Sequence, residues 1–308
     1  MSLHVAIVIV GFRNPDDVVG CLEALSASRH QDFEVVICEN GGDAAFAALS
    51  ARTPAALPSG QAVQLINAGA NLGYGGGVNA GIRRTPDAGA WWVLNPDTRP
   101  DPVALSALVE RLSHGDCEAV GGAIQLPNGL VQAYGGRWQR WLARAVSLGY
   151  GDDIAASVDP QFVESQQNFL NGASMLVSRR FIEATGLMRE DYFLYCEEVE
   201  WCLRGLSRGM RFGFAPEGVV VHEGGTSTGN TQDFRGRSRL SVYLGERNRL
   251  LLSRDCFPSL FPVTILTALG VLLVRYGKRR AWRELGYAVQ GWGAGLANSR
   301  GMPSWGKS

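Results

Sequence analysis

Five short apolar runs alternate with helical patterns over the first 125 residues, and this alternation constrains the fold more than any other feature. The runs are HVAIVIV (4–10), FEVVIC (33–38), AVQLI (62–66), AWWVL (90–94) and EAVGGAI (118–124), and the helical patterns lie near 15–29, 43–52, 77–85 and 102–112. Such alternation is typical of a parallel sheet covered by helices on its faces. We therefore predict an α/β fold with a mostly parallel sheet.

The later part of the chain is less regular. Residues 127–168 are polar and glycine-rich, which indicates a short hairpin and a long loop over the sheet edge. The further predicted elements are a strand at ASMLVS (173–178), a helix over 197–208, and two short strands at RFGFA (211–215) and GVVVH (218–222). After residue 235 the sequence becomes helical, basic and apolar. We therefore predict one domain over 1–235 and a helical C-terminal region over 236–308.

The composition excludes some classes of protein. The formal net charge is zero, so no nucleic-acid partner is expected. The six cysteines include no C-x-x-C pair, which indicates free thiols in a reducing compartment. The N-terminal apolar run has no basic segment before it and is too short to span a bilayer. We expect a cytoplasmic protein.

The C-terminal region suggests contact with a membrane. Residues 257–274 carry no charge, but Pro258 and Pro262 are expected to interrupt the run and to leave 12 residues, too few to span a bilayer. Five basic residues follow in RYGKRRAWR (275–283), and ten Lys and Arg oppose three acidic residues over 246–308. We predict binding to the anionic inner face of the cell membrane. The alternative is a helix buried against the first domain or in a homodimer interface.

Two strand ends carry side chains that can ligate a metal. In AWWVLNPDTRPDP (90–102), Asp101 before Pro102 has the pattern of a helix N-cap, which leaves Asp97 without a structural explanation. Open α/β sheets bind ligands at the carboxyl ends of their strands. His222 ends another strand and enters the loop HEGGTSTGNT (222–231), predicted to close over a ligand. A carboxylate and an imidazole, with a ligand diphosphate, suit Mn²⁺ or Mg²⁺.

A glycine-rich segment, NLGYGGGVNAG (71–81), has three interpretations. Its Gly75-x-Gly77-x-x-Ala80 pattern with Asp97 beyond it superficially matches a dinucleotide fingerprint, which would indicate an oxidoreductase using NAD(P). Glycines also let backbone N–H groups approach a diphosphate or sugar. The third interpretation is helix packing alone.

The segment YFLYCEEVEWCLRGL (192–206) places an acidic helix start beside aromatic residues. Glu200 and Arg204 are four residues apart and are expected to pair on a solvated face. Glu197 and Glu198 lie in the first turn, where acidic residues are common. Partial burial of two adjacent carboxyl groups would raise their proton affinity, which suits a general base.

Taken in order, eight segments resemble family 2 glycosyltransferases of the GT-A fold, and most closely the rhamnosyltransferase-like branch. The segments, spread over about residues 3–255, are VGFRN, ICENGG, NLGYGGGVNAG, LNPDT, NFLNGASMLVSRR, YFLYCEEVEWCLR, HEGGTS and ERNRLLL. The chain departs from the family pattern by having glutamate where aspartate is usual, at Glu39, Glu198 and Glu200.

The resemblance implies an inverting glycosyltransferase that uses a dTDP- or UDP-sugar, with dTDP-L-rhamnose as the expected donor and a glycan or lipid-linked saccharide as acceptor. It implies that Asp97 and His222 hold the cation and that Glu198 is the catalytic base. The implied donor-binding residues are Gly11, Phe12, Arg13, Glu39, Asn71, Gly73, Gly75, Asn79, Asn95 and Arg247. The implied acceptor-binding residues are Asn171, Gly172, Ala173 and Glu197. The alternatives are the oxidoreductase and a catalytically inactive membrane-bound scaffold.

Overall fold

The chain folds as a mixed sheet covered by helices in the computed structural model, which describes residues 3–223 and 234–306. The strands are β1 Val5–Gly11, β2 Phe33–Glu39, β3 Val63–Asn67, β4 Ala90–Leu94, β5 Thr98–Pro100, β6 Ala119–Gln125, β7 Val131–Ala133, β8 Gly136–Gln139, β9 Arg144–Ser147, β10 Ser174–Ser178 and β11 Phe212–His222. The helices are α1 Pro15–Leu25, α2 Asp43–Ser50, α3 Gly73–Arg84, α4 Ala104–Ser113, α5 Pro160–Gln166, α6 Arg179–Thr185, α7 Glu197–Ser207, α8 Arg239–Cys256, α9 Phe261–Lys278 and α10 Trp282–Leu296.

The main sheet has nine strands in the order β3-β2-β1-β4-β10-β6-β11-β5, with β7 paired to β6. The first four strands of this order are parallel, as predicted. β10 enters antiparallel between β4 and β6, and β11 runs parallel to β6. The carboxyl ends of β1, β2 and β4 therefore lie along one edge, where the loops that follow them meet.

Alternate residues of the central strands pack into two hydrophobic cores, one on each face of the sheet. In β1, Ile7 and Ile9 pack into the core that holds α1 and α4, whereas Val8 packs into the core that holds α3, α6 and α7. In β4, Trp92 and Trp91 likewise point to opposite faces. This follows from the two-residue period of a strand, and it explains why these strands are apolar throughout rather than alternating.

Several predicted elements differ from those observed. The RFGFA and GVVVH strands are one strand, β11, with an irregularity in its pairing to β6 between Ala215 and Val220. α3 begins at Gly73, four residues before the predicted start, and α5 and α6 were not predicted. The hairpin within 127–168 is confirmed as β8 and β9. Asp101 caps the turn that leads into α4, accepting the Val103 N–H at 2.9 Å.

The C-terminal region consists of α8, α9 and α10. The two prolines do not break the apolar run as predicted, because Pro258 begins a single 3₁₀ turn and Pro262 lies in the first turn of α9, where no helical N–H is required. Among the described residues, Pro258–Lys278 is the one helical stretch long and apolar enough to cross a membrane, and most of it is not buried. All six cysteines are free, as expected.

Candidate active site

The ends of β1 and β2 hold the first group of predicted donor-binding residues. Glu39 ends β2, and its Oε1 accepts hydrogen bonds from the backbone N–H groups of Gly41 (2.7 Å) and Arg13 (3.1 Å). Gly11 approaches the same carboxylate so closely that a Cβ there would lie 2.7 Å from Glu39 Oε2. The exposed Arg13 guanidinium lies over the ring of Phe12. The structure therefore brings these predicted residues together at the carboxyl edge of the sheet.

Asp97 and His222 meet at the carboxyl end of β4. The pairing of β5 with β11 sets Thr98 opposite His222, which places the preceding residue, Asp97, next to the imidazole. Asp97 is only 4% exposed, and its Oδ1 lies 3.4 Å from His222 Nε2. The other imidazole nitrogen, Nδ1, donates to Gln132 Oε1 at 2.8 Å. This bond leaves the Nε2 lone pair of the neutral imidazole directed at Asp97, which suits a cation shared by both side chains.

A cation at this point would need further ligands from elsewhere. Within residues 3–223 and 234–306, no group of three or more His, Cys, Asp or Glu side chains is arranged to hold a metal. Two protein ligands fit Mn²⁺ or Mg²⁺ only if the donor's diphosphate oxygens and water complete the shell, which is the usual arrangement for Mg²⁺ with phosphate substrates. The pair therefore fits a substrate-associated cation.

Glu198 lies beside the turn that precedes β10. A Cβ added to Gly172 would lie 3.1 Å from Glu198 Cγ, so a larger residue there would displace the carboxylate. Asn171 shapes this turn, because its Oδ1 accepts the Ala173 N–H at 2.9 Å. The carbonyl of Ala173 in turn accepts the Asn95 N–H at 3.0 Å. The four residues predicted to contact donor or acceptor here therefore adjoin the predicted base.

The hydroxyl of Tyr74 links the two parts of the site. It donates to the Gly172 carbonyl at 2.7 Å and lies 3.1 Å from Asn95 Oδ1. Burial raises the pKa of Tyr74 well above its usual value, and the negative charges of Glu197, Glu198 and Asp97 raise it further. The phenol therefore stays neutral and remains a hydrogen-bond donor between the Asp97–His222 pair and the acidic helix start.

Glu197 and Glu198 both favour the protonated form more than an exposed glutamate does. Glu197 is 2% exposed, and its Oε2 has no hydrogen-bond partner among the described residues. Burial, followed by the charge of Glu198, raises the pKa of Glu197 well above its usual range. Burial also raises the pKa of Glu198. Because two adjacent buried carboxyl groups resist ionising together, one of them retains a proton to a higher pH than the other.

The glycine-rich segment packs closely against other parts of the protein. A Cβ on Gly73 would lie 2.2 Å from the Phe193 carbonyl oxygen, and one on Gly75 would lie 3.0 Å from the carbonyl oxygen of Arg189. Asn71 accepts the Gly73 N–H at 3.0 Å. Asn79 is buried, and its amide bonds to both backbone groups of Met188. Packing therefore accounts for the glycines and Asn79, and the donor-binding roles of these residues stay predictions.

Two further expectations need correction. Arg247 is 1% exposed, and its guanidinium donates to the backbone carbonyls of Tyr192 and Gly301, so it does not reach the sheet edge as a donor-binding group. Glu200 and Arg204 pair as predicted, at 2.8 Å, but both are largely buried rather than on a solvated face. The predicted closing loop, residues 224–231, lies outside the described residues.

Three residues that hydrogen-bond to elements of the candidate site were not among the predicted site residues: Tyr74, Gln132 and Asn248. Tyr74 lies inside the segment NLGYGGGVNAG. An aromatic residue at a glycine-rich helix start was a signal that its side chain could have a role in the site. Asn248 lies inside the segment ERNRLLL, but only Arg247 of that segment was assigned a role. Gln132 gave no signal, since an ordinary polar residue acquires such a role only through distant contacts. A separate cavity of about 1120 Å³ between the β8–β9 hairpin and α7 includes none of the predicted site residues.

The comparison with known families identifies the chain. The sequence profile described as "Glycosyltransferase like family 2" matches residues 3–249. The chain belongs to this family. It is 23% identical over 306 residues, 97% of the chain and 92% of the relative, to the "Low-salt glycan biosynthesis hexosyltransferase Agl10" of Haloferax volcanii. It is 27% identical over 228 residues, 68% of the chain and 72% of the relative, to an "N-acetylglucosaminyl-diphospho-decaprenol L-rhamnosyltransferase" of Mycobacterium tuberculosis.

The fold of this family 2 glycosyltransferase is GT-A. It resembles a mannosyltransferase from Pyrobaculum calidifontis solved with GDP-mannose and Mn²⁺, with a TM-score of 0.59 and 13% identity, over 97% of this chain and 88% of that one. At this identity the likeness concerns the fold alone. The predicted fold class and family are therefore confirmed, and the glycine packing together with the family match disfavours the oxidoreductase.

Proposed function

We propose that this glycosyltransferase moves L-rhamnose from dTDP-L-rhamnose to a glycan or lipid-linked saccharide, with inversion at the anomeric carbon. The observation that carries the proposal is the meeting of Asp97 with His222 at the carboxyl end of β4, joined through Asn95 and Tyr74 to the turn beside Glu198. The choice of sugar and acceptor is supported by the name of the Mycobacterium tuberculosis relative.

Glu198 acts as the base in this proposal. The acceptor hydroxyl oxygen attacks the anomeric carbon, the bond from that carbon to the nucleoside diphosphate breaks, and Glu198 takes the hydroxyl proton. A single displacement inverts the anomeric centre. A raised pKa brings the carboxylate's proton affinity closer to that needed near neutral pH, and a general base of this kind contributes roughly 10²–10⁴-fold to the rate.

Asp97 and Nε2 of His222 are the residues that would hold a divalent cation, and Gln132 would keep the imidazole in the ligating tautomer. When bound, the cation supplies positive charge that offsets the charge on the departing nucleoside diphosphate. Mn²⁺ in the mannosyltransferase with GDP-mannose supports a metal here by analogy of fold.

Nucleotide binding and product analysis test the proposal. We expect wild-type protein to bind dTDP more tightly with Mn²⁺ than without it, and Asp97→Ala to lose that metal-dependent affinity and all turnover. The matched control is Asp101→Ala, which removes an exposed aspartate four residues away whose carboxylate caps a turn. Full activity of Asp97→Ala would contradict the metal assignment. Retention of the donor's anomeric configuration in the product would contradict the mechanism, and complete absence of sugar-nucleotide turnover would favour an inactive scaffold.

We also propose that the protein works at the cytoplasmic face of the cell membrane without crossing it. Several hydrogen bonds and ion pairs attach α9 to the rest of the molecule; among them, Thr264 donates to the Arg140 carbonyl, Thr267 to the Trp141 carbonyl, and Arg275 pairs with Glu246 at 3.0 Å. These contacts favour a helix that lies on the surface of the protein over one that is inserted across a bilayer. A homodimer through the same face is the alternative.

A further inference from the structure

The chain enters the catalytic helix α7 through an unusual backbone turn. Phe193, Tyr195 and Cys196 have φ angles of 68°, 74° and 69°, in the left-handed region that residues with a Cβ rarely adopt. Cys196 is the N-cap of α7, and Glu197 and Glu198 follow directly. Three such residues within four positions persist only where the surroundings hold them. We call residues 192–196 the entry turn.

The side-chain amide of one residue in the C-terminal region contacts most of the backbone carbonyl groups of this turn. Asn248 lies in α8 and is 0% exposed, and its Nδ2 lies within hydrogen-bond distance of the carbonyl oxygens of Tyr192 (2.9 Å), Leu194 (2.8 Å) and Tyr195 (2.8 Å), which share its two hydrogens. The remaining carbonyl in this stretch, that of Phe193, accepts the Tyr74 N–H at 2.8 Å. Four successive carbonyls of the entry turn are thus bonded to groups from other elements.

Arg247 orients that amide. Its Nε donates to Asn248 Oδ1 at 2.9 Å, so the amide oxygen faces the guanidinium and the amide nitrogen must face the carbonyls. Arg247 also donates to the Tyr192 carbonyl at 2.8 Å. Only a side chain with an N–H₂ group and an adjacent acceptor satisfies both neighbours, because an acid at this position would set one carboxylate oxygen against the carbonyls and an apolar residue would leave them unsatisfied.

We propose that Asn248 is a positioning residue for the transfer reaction: its amide holds the entry turn in the left-handed conformation that sets Glu198 against the Gly172 turn. This inference rests on the proposed function of Glu198. A change of φ at Cys196 would rotate the first turn of α7, and with it the carboxylate that lies beside Gly172. A displacement of about 1 Å at a reacting group can lower a rate roughly 100-fold.

The test compares Asn248→Asp with a control from the same helix. Ser253→Ala removes a fully buried polar group whose hydroxyl, among the described residues, donates to the Arg249 carbonyl of α8 itself. We expect Asn248→Asp to lower kcat roughly 100-fold, with the affinity for dTDP and Mn²⁺ within twofold of wild type, because Asp97 and His222 are held by other strands. Ser253→Ala should keep wild-type kcat. Because a buried carboxylate can impair folding, Asn248→Ser is measured in parallel and should give a smaller loss.

Two further measurements separate positioning from general destabilisation. Cys196→Gly removes the steric energy cost of the left-handed φ at one position of the entry turn. Combined with Asn248→Asp, it should restore part of kcat. Amide hydrogen exchange should increase over residues 192–199 in Asn248→Asp while β1 remains protected. This readout does not need activity, so it tests the turn even if wild-type protein transfers no sugar and the proposed function fails. A folded Asn248→Asp or Asn248→Ser protein with kcat within threefold of wild type, or with unchanged exchange in the entry turn, overturns the inference.

Discussion

At the scale of single residues, two adjacent glutamates have different surroundings. Glu198 lies beside the Gly172 turn and is partly exposed, whereas one carboxylate oxygen of Glu197 is buried without a partner among the described residues. The first arrangement suits a group that exchanges a proton with a substrate. The second suits a carboxyl that stays protonated and so avoids a buried charge.

Replacing the two carboxyl groups one at a time should separate their roles. We expect Glu198→Gln to lower kcat roughly 100-fold or more while nucleotide affinity is retained, since the amide keeps the size of the side chain but cannot take a proton. Glu197→Gln should lower kcat less than Glu198→Gln does, and it should mainly change the KM for the acceptor. Steady-state kinetics with saturating donor give both values. An inactive Glu197→Gln protein beside an active Glu198→Gln protein would reverse the assignment.

The raised pKa of Glu197 also predicts a pH effect on stability. A carboxyl whose folded-state pKa exceeds its unfolded value contributes stability below the ordinary glutamate pKa, and this contribution is lost as pH rises through the folded-state pKa. Wild-type protein should therefore lose thermal stability relative to Glu197→Gln as pH increases above about 4.3. Melting temperatures across the pH range measure the difference. Glu110→Gln, at an exposed site on α4, is the control, and parallel curves for wild type and Glu197→Gln would contradict the burial argument.

At the scale of elements, α3 shows how a glycine-rich helix start serves packing. Gly77 and Gly81 lie against Val10 and Val8 of β1, where a Cβ would come within 2.6 Å and 2.4 Å of valine methyl groups. Gly73 instead meets the entry turn, at the Phe193 carbonyl. The glycines therefore bring α3 close to both the sheet and the turn that leads into α7, which is how Tyr74 reaches the site.

The effect of this close approach on the free energy of unfolding can be measured by comparing two glycines with the same φ angle. Gly73 and Gly115 both have φ of 75°, but a Cβ at Gly115 would meet nothing within 4 Å. Alanine at Gly115 should cost only the left-handed strain, about 1 kcal/mol. Alanine at Gly73 should cost about 1–3 kcal/mol more, because the added methyl overlaps a carbonyl oxygen. Free energies of unfolding from denaturant titration give the comparison, and equal losses would argue against tight packing at Gly73.

At the scale of the whole molecule, α9 and α10 present apolar side chains to solvent. The exposed ones include Val263, Leu266 (71% exposed), Leu273 and Val274 on α9. At 3.6 residues per turn, positions 263, 266, 273 and 274 fall on one side of the helix. Four exposed basic residues follow at the end of α9 and the start of α10: Lys278, Arg279, Arg280 and Arg283. An apolar face beside a basic cluster is complementary to an anionic bilayer surface.

Sedimentation with liposomes tests this surface. Wild-type protein should sediment with anionic liposomes at low salt, and changing the four basic residues to Glu should leave most of the protein in the supernatant, since each basic residue near the surface contributes about 1 kcal/mol. The matched control carries the same charge change at four exposed arginines of the first domain: Arg29, Arg84, Arg180 and Arg211. Equal recovery of wild type and the C-terminal variant in the supernatant, with a dimer mass for wild type, would favour the homodimer.

Sequence patterns alone determined most of the fold's local structure. The apolar runs predicted β1, β2, β3, β4 and β6 to within a residue or two, because burial on both faces of a parallel sheet requires continuous apolar strands. The acidic start of α7 and the metal-ligand types of Asp97 and His222 were also visible, because strand ends and helix starts are local features. These features, taken in order, were enough to predict the family.

Contacts between distant segments were decided only by the tertiary structure. The register of β5 on β11 brings Asp97 next to His222, and packing of α8 on the entry turn sets the Asn248 amide against its carbonyl groups. Arg247 was predicted to bind donor, but burial directs its guanidinium to backbone carbonyls. The physical reason is that the spacing of apolar residues shows which face of a helix or strand is buried. The hydrogen-bond partner of a side chain depends on which other element packs against that face. No local sequence pattern determines which element that is.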